Sequence, residues 1–248
     1  MLDAGAILFS VLLVSMEIRL AMGAKELWTS NYGLAEQSLD TIAWLAMAGG
    51  LFGVNRQSGQ SVRHGAGLIL LALATLQAVL LQACTQNPWI TGAPVGDRPV
   101  VNLLLLTFAL PAALYGWHAR MAPPGSPRRP WCGRLALVFA ALWLMLEVRH
   151  SFAGSDLAGA VTSNAETYAY SLAGLAYAVA VLGLGIRSGS VALRQWGLGT
   201  LVLVVAKVFL VDMSHLTGIW RALSFLGLGA ALIGVGGIYR RYVRISPP

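Results

Sequence analysis

A duplicated segment constrains the fold of this chain more than any other feature of its sequence. The tripeptide Glu17-Ile18-Arg19 ends the first long apolar run, and Glu147-Val148-Arg149 ends a later one, 130 positions further on. The same shift aligns other identical pairs of residues without a gap: Ala35-Glu36 with Ala165-Glu166, Leu45-Ala46 with Leu175-Ala176, Ser58-Gly59 with Ser188-Gly189, and Gly67-Leu68 with Gly197-Leu198. We infer that the chain holds two copies of one structural unit.

The composition places both copies in a membrane. The chain is 57% hydrophobic and 11% charged, with a mean hydropathy of +0.69, whereas an average soluble domain is about 25% charged. Its apolar runs are long enough for helices that cross a hydrocarbon core of about 30 Å, which takes about 20 residues each. No stretch has the alternating pattern of a membrane barrel strand. We therefore predict an all-α integral membrane protein, with the lipid bilayer as its surroundings.

Eight transmembrane helices are predicted, four in each copy. They lie at about 4–22, 35–54, 65–83 and 100–118 in the first copy, and at about 134–147, 164–186, 195–212 and 220–239 in the second. We therefore divide the chain into a four-helix repeat (1–120), a Pro- and Arg-rich cytoplasmic linker (121–133) and a second four-helix repeat (134–248). Because an even number of helices returns the chain to its starting side, the repeats are parallel and related by a pseudo-twofold axis along the membrane normal.

Two segments of this plan need interpretation. The first apolar run resembles a signal peptide, but no basic residue precedes it and its counterpart lies in mid-chain, so we interpret it as a retained spanning helix. Residues 84–99 contain three prolines and two glycines, and this density of helix breakers predicts a stretch without helix.

The distribution of basic residues predicts the orientation. One side of the predicted topology holds both termini and eleven arginines: Arg56, Arg63, Arg120, Arg128, Arg129, Arg134, Arg187, Arg194, Arg240, Arg241 and Arg244. The other side holds five basic residues, so the positive-inside rule makes both termini cytoplasmic in a multi-pass protein of the bacterial inner membrane. Because the net charge of +7 comes from these short loops, nucleic acid is not a predicted partner. Other membrane proteins of the envelope are the candidate protein partners.

No metal site or cofactor is predicted. The two cysteines, Cys84 and Cys132, fall on opposite faces of the predicted topology, which excludes a disulfide between them. The four histidines are too scattered along the chain to share a metal ion.

The repeated Glu-x-Arg motif is the candidate functional feature. Glu17 and Glu147 each lie about 12 or 13 residues into a helix, which is roughly 20 Å and still within the outer leaflet. A charged side chain at that depth needs a partner, the bundle interior or a water-filled cavity. In the second copy Lys207 and Asp212 lie at a similar depth, so we predict the contacts Glu147 to Lys207 and Arg149 to Asp212.

The first copy carries neutral amides, Gln77 and Gln82, where the second carries Lys207 and Asp212. A functional site is therefore expected mainly in the second copy. The predicted binding residues are Glu147, Arg149, Lys207, Asp212, Arg221, Glu17, Arg19 and Glu166. These residues also have a structural interpretation, because charge pairs between spanning helices often fix register, and Ser163-Asn164-Ala165-Glu166 matches a helix capping box.

Several functions fit these residues. The first is a non-enzymatic protein that binds or handles an envelope component, or scaffolds an envelope complex, at a polar cavity that opens outward between the repeats. The second is a membrane-embedded enzyme on a lipid-linked or periplasmic substrate, with Glu147 as the candidate catalytic base and the arginines as anion clamps. A transporter is a further alternative, which the almost purely apolar inner halves of the helices disfavour. A structural subunit, in which the charges only fix packing, is the last.

Five stretches of the second copy match a known family: Leu146 to Phe152, Ala165 to Ser171, Ile186 to Ser190, Lys207 to Asp212 and Trp220 to Gly229. Through them, residues from about 140 to 242 resemble the C-terminal part of the bacterial predicted membrane proteins called domain of unknown function 2339. The first copy resembles the family more weakly, through the duplication. Family members are usually longer, which implies a short member or a C-terminal piece.

One position departs from this family. Many members have a histidine where this chain has Ala153. The family has no established activity, so the resemblance supports the fold and the outer-face motif and implies no reaction.

Overall fold

The computed structural model describes residues 2–23, 32–58, 61–159 and 161–212, with a few helical positions between 226 and 237. All regular structure in these ranges is helical, as predicted. The helices are α1 (Leu2–Ala21), α2 (Leu34–Ser58), α3 (Ser61–Leu76), α4 (Pro88–Thr91), α5 (Leu110–Met121), α6 (Arg128–Ala153), α7 (Asn164–Arg187) and α8 (Val191–Lys207). π-Helical segments extend α3 (Gln77–Thr85), precede α5 (Leu105–Ala109) and extend α8 (Val208–Asp212).

Five stretches of the described chain are long and apolar enough to cross a membrane: Ala4–Ala21, Val62–Thr91, Arg128–Ala153, Asn164–Arg187 and Val191–Asp212. Helix α2 has the length of a span, at 25 residues, but polar residues in its first third lower its hydropathy. The predicted eighth helix, at 220–239, falls almost wholly outside the described residues. The number of eight helices therefore stays a prediction.

The stretch at 84–99 contains a short helix, so the prediction that it has none is wrong. Asn87 caps α4 by accepting a hydrogen bond from the Trp89 N–H (3.0 Å). Pro88 occupies the first turn, and Gly92 follows the last residue with a φ of 68°. Proline just inside the start and glycine just past the end are the usual boundaries of a helix. The residues that were interpreted as breakers therefore mark where α4 begins and ends.

Helix α6 is longer at both ends than the predicted helix at 134–147. It begins at Arg128, within the segment predicted as linker, because Pro130 lies in the first turn, where no intrahelical hydrogen bond is lost. It ends at Ala153, and Gly154 follows with a φ of 74°. The Glu147-Val148-Arg149 motif therefore lies inside the helix, more than one turn before its end.

By its contacts the chain divides into two compact units, residues 1–160 and 161–248. The first unit has a hydrophobic core that includes Leu45, Phe108, Tyr115, Phe139 and Leu146. Helix α6 belongs to this unit, although it is the first helix of the predicted second repeat. A division by contacts does not decide which segments are copies of each other, so the predicted repeat boundaries stay predictions.

The helix pair α2 and α3 and the helix pair α7 and α8 each approach closely at a glycine. A Cβ built on Gly67 of α3 would lie 2.8 Å from Cε1 of Phe52. A Cβ built on Gly197 of α8 would lie 2.7 Å from the backbone nitrogen of Leu182. Both residues of the second contact lie 130 positions after those of the first, so the two helix pairs cross at corresponding residues.

Candidate functional site

Glu147 is held by two hydrogen-bond donors from the loop before α5. The side chain of Asn102 donates to Glu147 Oε1 (2.8 Å), and the backbone N–H of Val100 donates to Oε2 (3.3 Å). Asn102 Oδ1 in turn accepts hydrogen bonds from the N–H groups of Leu104 and Leu105, at 2.9 and 3.2 Å. The Glu147 side chain is 12% exposed. Its carboxylate therefore fixes the loop that leads into the next helix.

The backbone of Val100, which donates one of these hydrogen bonds, is strained. Its φ is 65°, and among the described residues it is the one non-glycine with a positive φ. A β-branched side chain is strongly disfavoured in this region, at a cost of about 1–3 kcal/mol. The surrounding hydrogen bonds must offset that cost, which makes the conformation of this loop well defined.

Arg149 and His150 anchor further loop segments at the end of α6. Arg149 is 1% exposed, its Nε donates to the carbonyl oxygen of Leu157 (2.8 Å), and its guanidinium lies 5.7 Å from the ring centroid of Trp89. His150 Nε2 lies 2.7 Å from the carbonyl oxygen of Gly96. We call Glu147, Arg149, His150, Trp89 and Asn102 the cap cluster, because together they hold the segments around 87–102 and 154–159.

The first Glu-x-Arg motif behaves differently. Arg19 forms an ion pair with Glu36, with 3.0 Å between Nη1 and Oε1, at side-chain exposures of 16% and 6%. Glu17 is exposed on α1, and no ion pair within the described part of the chain includes it. The two residues of the motif thus point in different directions, as their spacing on a helix requires.

Three glutamines and a threonine form what we call the amide cluster in the first unit. Gln77 and Gln82 both donate through Nε2 to the carbonyl oxygen of Gln37, each at 2.9 Å. Gln82 also donates to Thr41 Oγ1 (2.7 Å). Residues five apart do not share a face of an α-helix, but they approach each other here because the segment from Gln77 to Thr85 is π-helical.

Tyr32 and Asp40 extend the amide cluster. The Tyr32 hydroxyl donates to Asp40 Oδ2 and lies 3.3 Å from Gln77 Nε2. Burial, together with the neighbouring Asp40 carboxylate, raises the pKa of the Tyr32 phenol. Tyr32 therefore stays protonated and remains a donor.

The second unit holds an ionic cluster at Lys207 and Asp212. Lys207 Nζ donates to the Thr167 carbonyl oxygen (2.5 Å), to Ser171 Oγ (2.6 Å) and to Asp212 Oδ1 (2.8 Å). Ser171 also donates to Asp212 Oδ2 (2.5 Å). These acceptors match the three donors of an ammonium group. The predicted contacts to Glu147 and Arg149 join residues of different units and stay predictions, whereas Lys207 and Asp212 pair with each other.

The amide and ionic clusters occupy corresponding positions. Gln37, Thr41, Gln77 and Gln82 lie 130 positions before Thr167, Ser171, Lys207 and Asp212. In both clusters the side chain at the junction between the α-helix and its π-helical extension donates to a backbone carbonyl of the preceding helix. The same contacts between a helix pair are therefore made by neutral side chains in the first unit and by charged side chains in the second.

The remaining predicted residues are Glu166 and Arg221. Ser163 Oγ accepts a hydrogen bond from the Glu166 N–H (3.2 Å), which is half of the predicted capping box. Glu166 is 1% exposed, and its Oε1 also accepts from the Tyr170 hydroxyl (2.9 Å). Arg221 lies outside the described residues.

The helices show to which class of protein this chain belongs. The described residues form helices, and five stretches of them are suited to crossing a bilayer, which makes the chain a membrane protein. The family model described as Predicted membrane protein (DUF2339) matches residues 1–242, and the chain belongs to that family. The match covers essentially the whole chain, so the prediction of this family is confirmed and its restriction to a C-terminal part is wrong. No curated protein and no solved structure matches the chain.

Proposed function

We propose that this protein is a non-enzymatic membrane protein that binds an envelope component, or scaffolds an envelope complex, through the surface that the cap cluster supports. The observation that carries the proposal is the double hydrogen bonding of Glu147 by Asn102 and Val100. A general base must come within hydrogen-bond reach of the proton it removes, and both carboxylate oxygens of Glu147 already accept hydrogen bonds from the loop. The enzyme alternative therefore has less support than binding.

The loops held by the cap cluster present apolar side chains. Ile90 is 71% exposed, Val101 65%, Val100 49% and Trp89 40%. Exposed apolar residues on a conformationally fixed loop suit an interaction with a protein or a lipid-linked molecule. Because the loop is held in place, little conformational entropy is lost on binding.

The transporter alternative also has less support. Among the described residues of the first unit, the buried polar side chains lie mostly at the beginning of α2, in the π-helical extension of α3 and at the end of α6. In the second unit they lie at the beginning of α7. His118 is an exception, and its Nε2 lies 2.9 Å from the Leu45 carbonyl oxygen. A transport path needs polar groups at both ends of the membrane.

The binding hypothesis predicts that a partner contacts Val101. A photoreactive amino acid at Val101 should give one reproducible adduct in native membranes, and reciprocal cross-linking from the identified partner should return this chain. Leu12 of α1, which is 54% exposed, is the matched control position and should give no such adduct. Glu147→Gln should weaken the adduct while the protein remains folded. If Glu147→Gln folds normally, keeps the adduct and supports growth under every envelope stress tested, the proposal fails.

For localisation we propose the bacterial inner membrane, with both termini in the cytoplasm. Cys84 is exposed and should react with a membrane-impermeant thiol reagent added from outside. Cys132 is buried, so its lack of reaction would not test the topology. A Pro124→Cys variant on a Cys84→Ser background provides an exposed thiol in the linker and should react only after the membrane is opened. The opposite pattern of labelling would reverse the orientation.

A further inference from the structure

The amide cluster contains two buried oxygens without a donor. Gln37 and Gln82 are both 0% exposed, and no described residue donates a hydrogen bond to either side-chain oxygen. Their amide orientations are fixed, because Gln37 Nε2 donates to the Tyr32 carbonyl oxygen (2.9 Å) and Gln82 Nε2 to that of Gln37 (2.9 Å). Turning either amide around would bring two acceptors together. A buried acceptor normally has a hydrogen-bond donor, because burying a polar atom without one costs free energy.

The described side chains around the same cluster carry one more negative charge than positive charge. Asp40 lies one helical turn after Gln37, is 3% exposed, and accepts a hydrogen bond from the neutral Tyr32 hydroxyl. Arg19 pairs with Glu36 and also attracts Asp40, so one described cation faces two carboxylates. The described charged residues around the cluster therefore sum to one negative charge, and an unbalanced charge at this depth is expensive.

In the ionic cluster of the second unit, a cation lies next to the buried carboxylate. Tyr170 replaces the acid at the position that corresponds to Asp40, and the charge of Asp212 is matched by Lys207. The lysine ammonium contacts the Thr167 carbonyl and the Ser171 hydroxyl, at positions that correspond to Gln37 and Thr41. In the first unit the matching residue is the neutral Gln77, so the side chain at this position supplies no cation.

We propose that the amide cluster binds one alkali metal cation, with Asp40 as the charged ligand and the side-chain oxygens of Gln37 and Gln82 as neutral ligands. Carboxylate and amide oxygens are hard ligands suited to such ions. A divalent ion is disfavoured, because no three His, Cys, Asp or Glu side chains in the described part of the chain lie close enough to share one. The ion supplies the missing positive charge and meets both orphaned oxygens.

The test is the thermal stability of the purified full-length protein in NaCl, KCl or choline chloride at constant ionic strength. A ligand at one hundred times its Kd should raise the midpoint by about 5–10 °C for a chain of this size. We expect that rise when sodium or potassium replaces choline, and the ion with the larger effect identifies the occupant. Asp40→Asn, which keeps an acceptor for Tyr32, should abolish the rise. Asp97→Asn, which removes an exposed acid, should retain it.

Three results would overturn the proposal. Equal midpoints of the wild-type protein in all three salts would show that the cluster binds neither sodium nor potassium. A cation effect that persists unchanged in Asp40→Asn would place the binding site elsewhere. If Asp40→Asn does not fold, Gln82→Met removes one neutral ligand and should need at least ten times more salt for the same rise. An unaltered salt requirement in Gln82→Met would likewise exclude this cluster.

Discussion

Exchanging the ionic cluster for the amides of the first unit tests whether the two clusters are interchangeable. Lys207→Gln leaves the Asp212 carboxylate, which is 6% exposed, without its cation. Breaking one side of a buried ion pair costs about 3–5 kcal/mol, and we take the lower end because Lys207 is 30% exposed. For a chain of this size, about 3 kcal/mol lowers the unfolding midpoint by about 6–12 °C.

The double variant Lys207→Gln with Asp212→Gln should recover most of that loss. It leaves no charge at these two positions, and it places at both the residue type that Gln77 and Gln82 provide in the first unit. We expect a free energy of unfolding within about 1 kcal/mol of the wild-type value.

Far-ultraviolet circular dichroism in detergent can follow thermal unfolding of the wild type, both single variants and the double variant. The four midpoints form a double-mutant cycle, which isolates the interaction between the two positions. If the losses of the single variants simply add in the double variant, the two side chains do not interact. Glutamines would then not replace the ion pair, and the two clusters would not be interchangeable.

Three further variants test other contacts, each by its unfolding midpoint. Val100→Gly should raise the midpoint by about 2–4 °C by relieving the positive-φ strain, and a decrease would mean that packing of the valine outweighs the strain. Asn102→Ala should cost about 2 kcal/mol, since it removes both a helix-start acceptor and a donor to Glu147, and an unchanged midpoint would contradict that role. Gly197→Ala should cost more than Gly67→Ala, because the first meets helix backbone and the second a phenylalanine ring that can shift. Equal losses would mean that the two crossings do not differ in this way.

Sequence reasoning located the long helices because their apolar runs are local signals. The predicted start of the helix at Asn164 agrees with α7, where Ser163 provides the cap. The ends of α6 differ because a proline in the first turn is compatible with a helix, while the end depends on loops folded back on it. Local pattern thus predicts that a helix exists better than where it stops.

The partners of the candidate residues were harder to predict. The hydrogen bonds from Asn102 and Val100 to Glu147 were not predicted, because these residues lie in a loop whose conformation depends on nonlocal contacts. The predicted contact between Glu147 and Lys207 joins residues of different units and stays a prediction. The pairing of Lys207 with Asp212 was missed because residues five apart diverge on a regular α-helix. No sequence pattern marked the π-helical turn that brings them together.

In a membrane bundle, the identity of the buried polar side chains is usually linked to how the helices pack. The π-helical turns at the ends of α3 and α8 separate these two properties. Each turn brings two positions together through the backbone alone, whatever side chains occupy them. Two glutamines, or a lysine with an aspartate, can therefore occupy the same place while the glycine crossings of the helix pairs stay the same. Two substitutions can thus exchange an ion pair for neutral amides at that end of a helix pair, with no change in how its helices pack.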